Sequence, residues 1–329
     1  MTKFFPIRTS LLLFFLPFIA QADEKKWGPF VSTDLLFWDA TQGGIEYAIT
    51  SHSSTTTSLD GKVKEIDFDW GPGYRVGFGY QFNRWDFFIN WTRFHNHCSS
   101  SARPPQEGSL FALWVPANLE NATSELAHAR WHLLYDTVDL ELGYVFQLTK
   151  SFSMRPFVGA RWALIDQHGR YHYEEVDSSQ VGTLFDAIAR TKNGYDAGGA
   201  RTGAQLHFIV NHHWSFYGAL AGSLLYGRFD LKVNFRTTPQ VESDETLGYR
   251  SHFNEVQGNL EGALGLQWET SYTNGRYHLS ILACYEWNQW FNFNKLHKNV
   301  AAGVTNPNFF SNDTDLGLQG ATLSTRFAF

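Results

Sequence analysis

Long apolar runs are missing from this chain. Beyond the first two dozen positions no stretch of about 18 apolar residues occurs, so no membrane-crossing helix is encoded. Cysteine is scarce: Cys98 and Cys284 permit at most one internal bridge, which excludes a disulfide-stapled scaffold. Basic tracts are also lacking, and the formal charge is −6, so the electrostatic footprint of a nucleic-acid binder is absent. No Gly-rich phosphate loop, Gly-x-Ser-x-Gly elbow or His-Glu-x-x-His zinc motif occurs. Gly43-Gly44 and Gly198-Gly199 read as loop punctuation.

Aromatic residues, by contrast, are abundant. They make up 17% of the chain, with 29 Phe and 12 Trp, yet the mean hydropathy is −0.29. That combination arises when apolar and polar residues alternate, as in the wall of a membrane barrel whose outside meets lipid and whose inside meets water. A soluble β-sandwich competes on composition. It does not account for the final alternating run Leu323, Thr325, Phe327, Phe329 ending on a phenylalanine, which is expected of a closing barrel strand.

The amino terminus reads as a secretory signal. Lys3 and Arg8 precede an apolar core from Leu11 to Ala20, and Ala20-Gln21-Ala22 is a small-x-small cleavage site before Asp23. The expected organisation is a signal peptide over residues 1–22 and a single barrel over 23–329. Removal of 1–22 takes away Lys3 and Arg8 and no acid, changing −6 to −8.

The clearest strand is Gly73–Phe82, where Tyr74, Val76, Phe78, Tyr80 and Phe82 share one face and Arg75, Gly77, Gly79 and Gln81 the other. Asn83-Arg84 turns the chain into Trp85, Phe87, Ile89 and Trp91. Similar alternation is centred on Val138–Phe146, Val158–Leu164, Thr202–Phe208, Tyr217–Leu225, Leu260–Trp268 and Tyr277–Tyr285. Asn274-Gly275 is a hairpin signal between the last two. With Phe30–Trp38 and Asp315–Phe329 the count is ten, eight and twelve being the alternatives. Short connections (83–84, 147–153, 211–213, 270–275) alternate with long ones (39–72, 95–130, 167–199, 230–254, 291–314). The expected fold is therefore an all-β, transmembrane, antiparallel up-and-down barrel with short periplasmic turns and five long external loops. Aromatic girdles are expected at both rims, with Trp91, Tyr226, Trp287 and Trp290 on the outer one. Ser109–Leu126 is the place for a short helix over the mouth, limited by Pro116.

Several segments resemble the Legionella-type major outer membrane protein family. They are the opening Phe30–Trp38 with Gly44–Ala48, Trp70–Tyr80 with Trp85-Asp86, Arg155–Ala160 with Ile165-Asp166-Gln167, Ser223–Gly227 and Leu318-Gln319-Gly320. They run in order through nearly the whole mature chain. The resemblance implies an outer-membrane location and a porin-like, pore-forming role, with no catalytic motif to carry over.

Alternation places Arg75, Asp139, Glu141, Arg161, Arg201, Gln205, His207, Glu261 and Glu286 toward the lumen as pore-lining candidates, with Gln257, Asn259 and His278 nearby. Such residues need water or partners, so they line a wet channel or interlock across a filled interior. Ten strands lie near the filled limit, while inward glycines such as Gly77, Gly79, Gly143 and Gly203 leave space. The expectation is a narrow, water-containing pore, or one obstructed by an inward-folded loop. Its partners are outer-membrane lipid and small hydrophilic solutes or ions, with no cofactor and no nucleic acid.

Three other readings compete. His95, His97 and Cys98 suggest a metal cluster but lack a completing carboxylate or second thiol, so no metal is expected. An outer-rim hydrolase would draw on Asp136, His132, Asp166, His168 and His252, though no motif joins them, and no enzyme is expected. External loops around Ser51–Ser58, Asn118–Thr123 and Glu242–Glu245 suit a host-surface ligand. Cys98 is placed just past a strand end and Cys284 within a strand, which favours two free thiols.

Overall fold

The computed structural model describes residues 27–52, 61–116, 119, 122–177, 184–238, 248–273, 276–300, 308–311 and 313–329. The signal segment, Asn274-Gly275, Glu242–Glu245 and parts of the other two polar loops lie outside these residues.

Ten long strands form the wall: β1 (Trp27–Gln42), β2 (Gly71–Phe82), β3 (Trp85–Ala102), β4 (Leu126–Tyr144), β5 (Phe152–Val176), β6 (Phe185–Ile209), β7 (Trp214–Thr238), β8 (Gly248–Tyr272), β9 (Tyr277–Asn294) and β10 (Thr314–Ala328). Each pairs antiparallel with its neighbours in sequence, and β10 pairs with β1 (Val31 opposite Phe327), closing the barrel. A short strand, Phe146–Thr149, extends the sheet beside β5 at the short-turn rim. Above the other rim, 48–51, 61–64 and 109–112 form a three-stranded sheet, and 297–300 pairs with 308–311. Ser109–Ala112 is thus a strand, and no helix occurs among the described residues where a mouth helix was expected.

The strands run further than the outward apolar pattern reached. β5 to β8 have 25 residues each, whereas a tilted transmembrane strand needs only about 9–11. Much of the segment 167–199, expected to be loop, is the upper wall of β5 and β6.

The reason is an inversion of phase along each strand. In β5 the outward row begins Val158, Trp162, Leu164, all exposed, then becomes Asp166, His168, Arg170. The inward row begins Arg155, Arg161 and then becomes Ile165, Tyr171, Tyr173, all buried. β4 inverts at the paired level, with Asp139 and Glu141 inside below and Tyr135, Leu133 and Trp131 inside above. Below the switch the outside is apolar and the inside polar, as lipid requires. Above it the outside is polar and the inside mostly apolar, as for any protein standing in water, with buried Gln42, Gln167 and Asn193 hydrogen-bonded to one another.

The upper interior is consequently a packed core. Trp38, Phe94, Trp114, Trp131, Tyr171, Phe229 and Trp290 belong to one buried cluster. Ile45, Tyr47 and Ile66 from between β1 and β2, and Leu110, Trp114 and Leu119 from between β3 and β4, belong to it too. Trp114 stacks on Tyr171 at 4.8 Å, its indole donates to the Glu46 carbonyl at 3.0 Å, and the Tyr173 hydroxyl donates to the Tyr47 carbonyl at 2.6 Å. Burial raises the Tyr173 phenol above its ordinary pKa. Each large side chain so buried contributes roughly 1.5–3 kcal/mol.

Candidate functional site

The membrane-level lumen is held by alternating charges. Asp86 on β3 receives a bidentate pair from Arg155 on β5, at 2.8 and 2.5 Å. Arg155 also reaches Glu141 on β4 at 3.0 Å. Glu141 binds Arg201 on β6, and Arg201 reaches Glu261 on β8 at 2.5 Å. Glu261 also binds Arg161, whose guanidinium forks onto Asp139 with both contacts at 2.6 Å and donates to Asn259 at 2.8 Å. A second group joins β1, β2 and β9: Arg75 contacts Asp34 at 3.0 Å and Glu286 at 2.9 and 3.1 Å. These forked guanidinium–carboxylate pairs satisfy groups that would otherwise be left unpaired.

All nine sequence-predicted residues border a single internal cavity of 230 Å³. An adjoining space of 650 Å³ lies toward the short-turn rim, lined by residues including Gln147, His212, His213 and His278, and the two share Gln205, His207 and Arg326. Asp34, Asp86, Arg155 and Arg326 are interior residues that the reading of the sequence missed. Asp86 was legible from its place between Trp85 and Phe87, both outward. Arg326 lies 3.6 Å over the Phe30 ring.

The inward glycines do not leave open space. A Cβ at Gly143 would sit 2.5 Å from the Arg155 Nε, and one at Gly203 2.7 Å from the Phe157 ring. Their missing side chains admit neighbouring large ones.

Above the cavities the lumen narrows to an apolar layer. Trp290, expected in the outer girdle, is 0% exposed on the inner face. Trp287 faces outward and lies three residues away, so a strand's period of two puts Trp290 on the opposite side. Its ring is 6.2 Å from Tyr135 and 6.4 Å from Tyr195. The β9–β10 register shifts between Trp290 and Asn294, where Asn292 has φ 50° and Phe293 turns inward against Tyr195.

The competing candidates are not assembled. His95 and His97 face outward, whereas Cys98 faces inward and donates to Asn96 at 3.1 Å; its place is within β3. Among the described residues no group of three or more ligand side chains has metal-holding geometry. Asp136 accepts from the Trp91 indole at 3.1 Å and Asp166 pairs with Lys192 at 3.3 Å. Among the described residues no hydrogen bond joins either to His132, His168 or His252. Both cysteines are free and buried.

A closed antiparallel barrel with an apolar outer belt and a charged lumen defines an outer-membrane β-barrel protein. The family model described as the Legionella pneumophila major outer membrane protein precursor matches residues 22–329. The chain belongs to that family and is located in the bacterial outer membrane. No curated protein matches it. Among solved structures, the outer membrane protease OmpT from Escherichia coli is 8% identical, covering 92% of this chain and 98% of that one, with a TM-score of 0.44. The toluene transporter TodX of P. putida is 8% identical, covering 92% and 89%, with a TM-score of 0.30. These likenesses are too weak to bear on what the barrel does.

Proposed function

We propose that this barrel forms a narrow pore for ions and small hydrophilic solutes, shut at its outer half by the apolar layer around Trp290 and Phe293. One observation carries the reading. At membrane level the lumen is polar and contains two adjoining cavities, while the largely apolar obstruction lies above, where the outer wall has turned polar. A barrel serving only as a wall gains nothing from desolvating so many charges at membrane level, since apolar filling is often equally stable or more so. The obstruction also rests partly on a local irregularity of β9 rather than on regular wall.

A filled, non-conducting barrel with a surface role is the second reading, favoured by the ion pairs that span the lumen from β5 to β8 and from β2 to β9. Planar-bilayer recording separates the two. Wild-type protein is expected to show rare discrete openings, and Trp290→Ala/Phe293→Ala frequent ones. Absence of discrete steps from both folded proteins would rule out the pore.

A further inference from the structure

The outward face above the lipid belt carries a row of three histidines and three Lys or Arg residues in register across six strands. His97 on β3 is opposite His132 on β4, His132 opposite His168 on β5, and His168 opposite Lys192 on β6. Lys192 is opposite Lys232 on β7, and Lys232 opposite Arg250 on β8. One row higher, Arg130, Arg170 and Arg190 are direct cross-strand neighbours on β4, β5 and β6. All three arginines are exposed. Of the six Lys and Arg residues in these rows only Lys192 forms an ion pair among the described residues, with Asp166.

Like charges directly opposite one another destabilise a sheet. A triple arginine row in a chain of formal charge −6 therefore calls for an external counter-anion. The rows are also one-sided. On β9, β10, β1 and β2 the outward residues at the upper end include Gln289, Gln319, Asp39 and Thr41, without a cation. Uniform solvation does not require such a bias.

Height selects the anion. His168 and Arg170 lie four and six residues above Leu164, the last apolar outward position of β5. At about 3.3 Å per residue and a tilt of roughly 40°, this places the rows about 10–15 Å above the hydrocarbon edge. An ordinary phospholipid head layer is only about 5–8 Å deep.

We propose that this face binds the phosphorylated saccharide of an outer-leaflet glycolipid, with Arg130, Arg170 and Arg190 as the central phosphate contacts. Guanidinium forks match phosphate oxygens, and Lys192, Lys232 and Arg250 extend the positive surface along the leaflet.

The test uses the full chain refolded in detergent and titrated with purified lipopolysaccharide, its enzymatically dephosphorylated form, phosphatidylglycerol or a heparin fragment. Saturable binding of lipopolysaccharide is expected, weakened at least about tenfold by dephosphorylation or by Arg130→Gln/Arg170→Gln/Arg190→Gln. A second variant, Lys192→Gln/Lys232→Gln, is expected to weaken it in the same direction, and serves should the first not refold. Phosphatidylglycerol and heparin are expected to bind weakly. Equal binding by the variants that fold, indifference to dephosphorylation, or tighter binding of heparin would each overturn the proposal.

Discussion

Tyr135 and Trp290 project from opposite walls of the barrel, β4 and β9, and their rings meet edge to face with centroids 6.2 Å apart. The Tyr135 hydroxyl accepts from the Asn288 amide at 3.0 Å, tying the apolar layer to the charged lumen beneath it. Trp290→Ala is expected to lower stability by about 3–5 kcal/mol, as for a large ring lost from a packed core. Tyr135→Phe, which removes one hydrogen-bond partner, should cost about 1–3 kcal/mol. Urea unfolding of the refolded protein in lipid vesicles measures both.

Arg161 is the most connected lumen cation, touching Asp139, Glu261 and Asn259. Arg161→Met leaves two carboxylates short of a partner and is expected to cost about 3–5 kcal/mol. The triple change Arg161→Met/Asp139→Leu/Glu261→Gln should recover much of that loss. The heat-dependent gel mobility of folded barrel, followed against temperature, reads the order of the three proteins.

Within the outward histidine cluster, His132 makes stability fall toward acid. Burial, then the neighbours His95, His168 and His97, push the His132 pKa below its ordinary value. Arg130 and Arg170, one row away, add positive charge near it and Asp166 negative, while Arg93 lies further down the strand and is paired with Asp136. The unfolded chain takes up a proton near pH 6.5, whereas the folded one resists it until lower pH. Stability is therefore full above about pH 7 and declines as pH drops through about 6.5. His132→Gln should lessen the difference in transition temperature between pH 7.5 and 5.5.

Cys98 and Cys284 are both buried and unbridged. Non-reducing and reducing gels should show the same mobility. A maleimide reagent should label both thiols only after denaturation, and rapid labelling of the folded barrel would contradict their burial.

The ten strands and their parity were legible because lipid imposes an apolar outward row, as Tyr74, Val76, Phe78 and Tyr80 display. The lumen charges on β4, β5 and β6 followed from the same period. What escaped was the upper barrel: where Asp166 and His168 replace Val158 and Trp162 outside, the outward apolar signal vanishes although the strand continues. Trp290 escaped for a related reason. An aromatic residue near a rim suits a girdle and a plug equally, and only its parity with Trp287 separates them. The partners of Arg155 and Arg201 lie on strands far apart in sequence, so their pairing required the closed barrel.

The level at which β5 leaves the hydrocarbon is open to direct measurement. Single cysteines at positions 158, 162, 168 and 170, in a chain with Cys98 and Cys284 replaced by alanine, can carry a fluorophore in vesicles containing brominated lipid. Strong quenching is predicted at 158 and 162 and little at 168 and 170. Equal quenching at all four positions, or none at any, would contradict a wall that exchanges its lipid and water faces between Leu164 and His168.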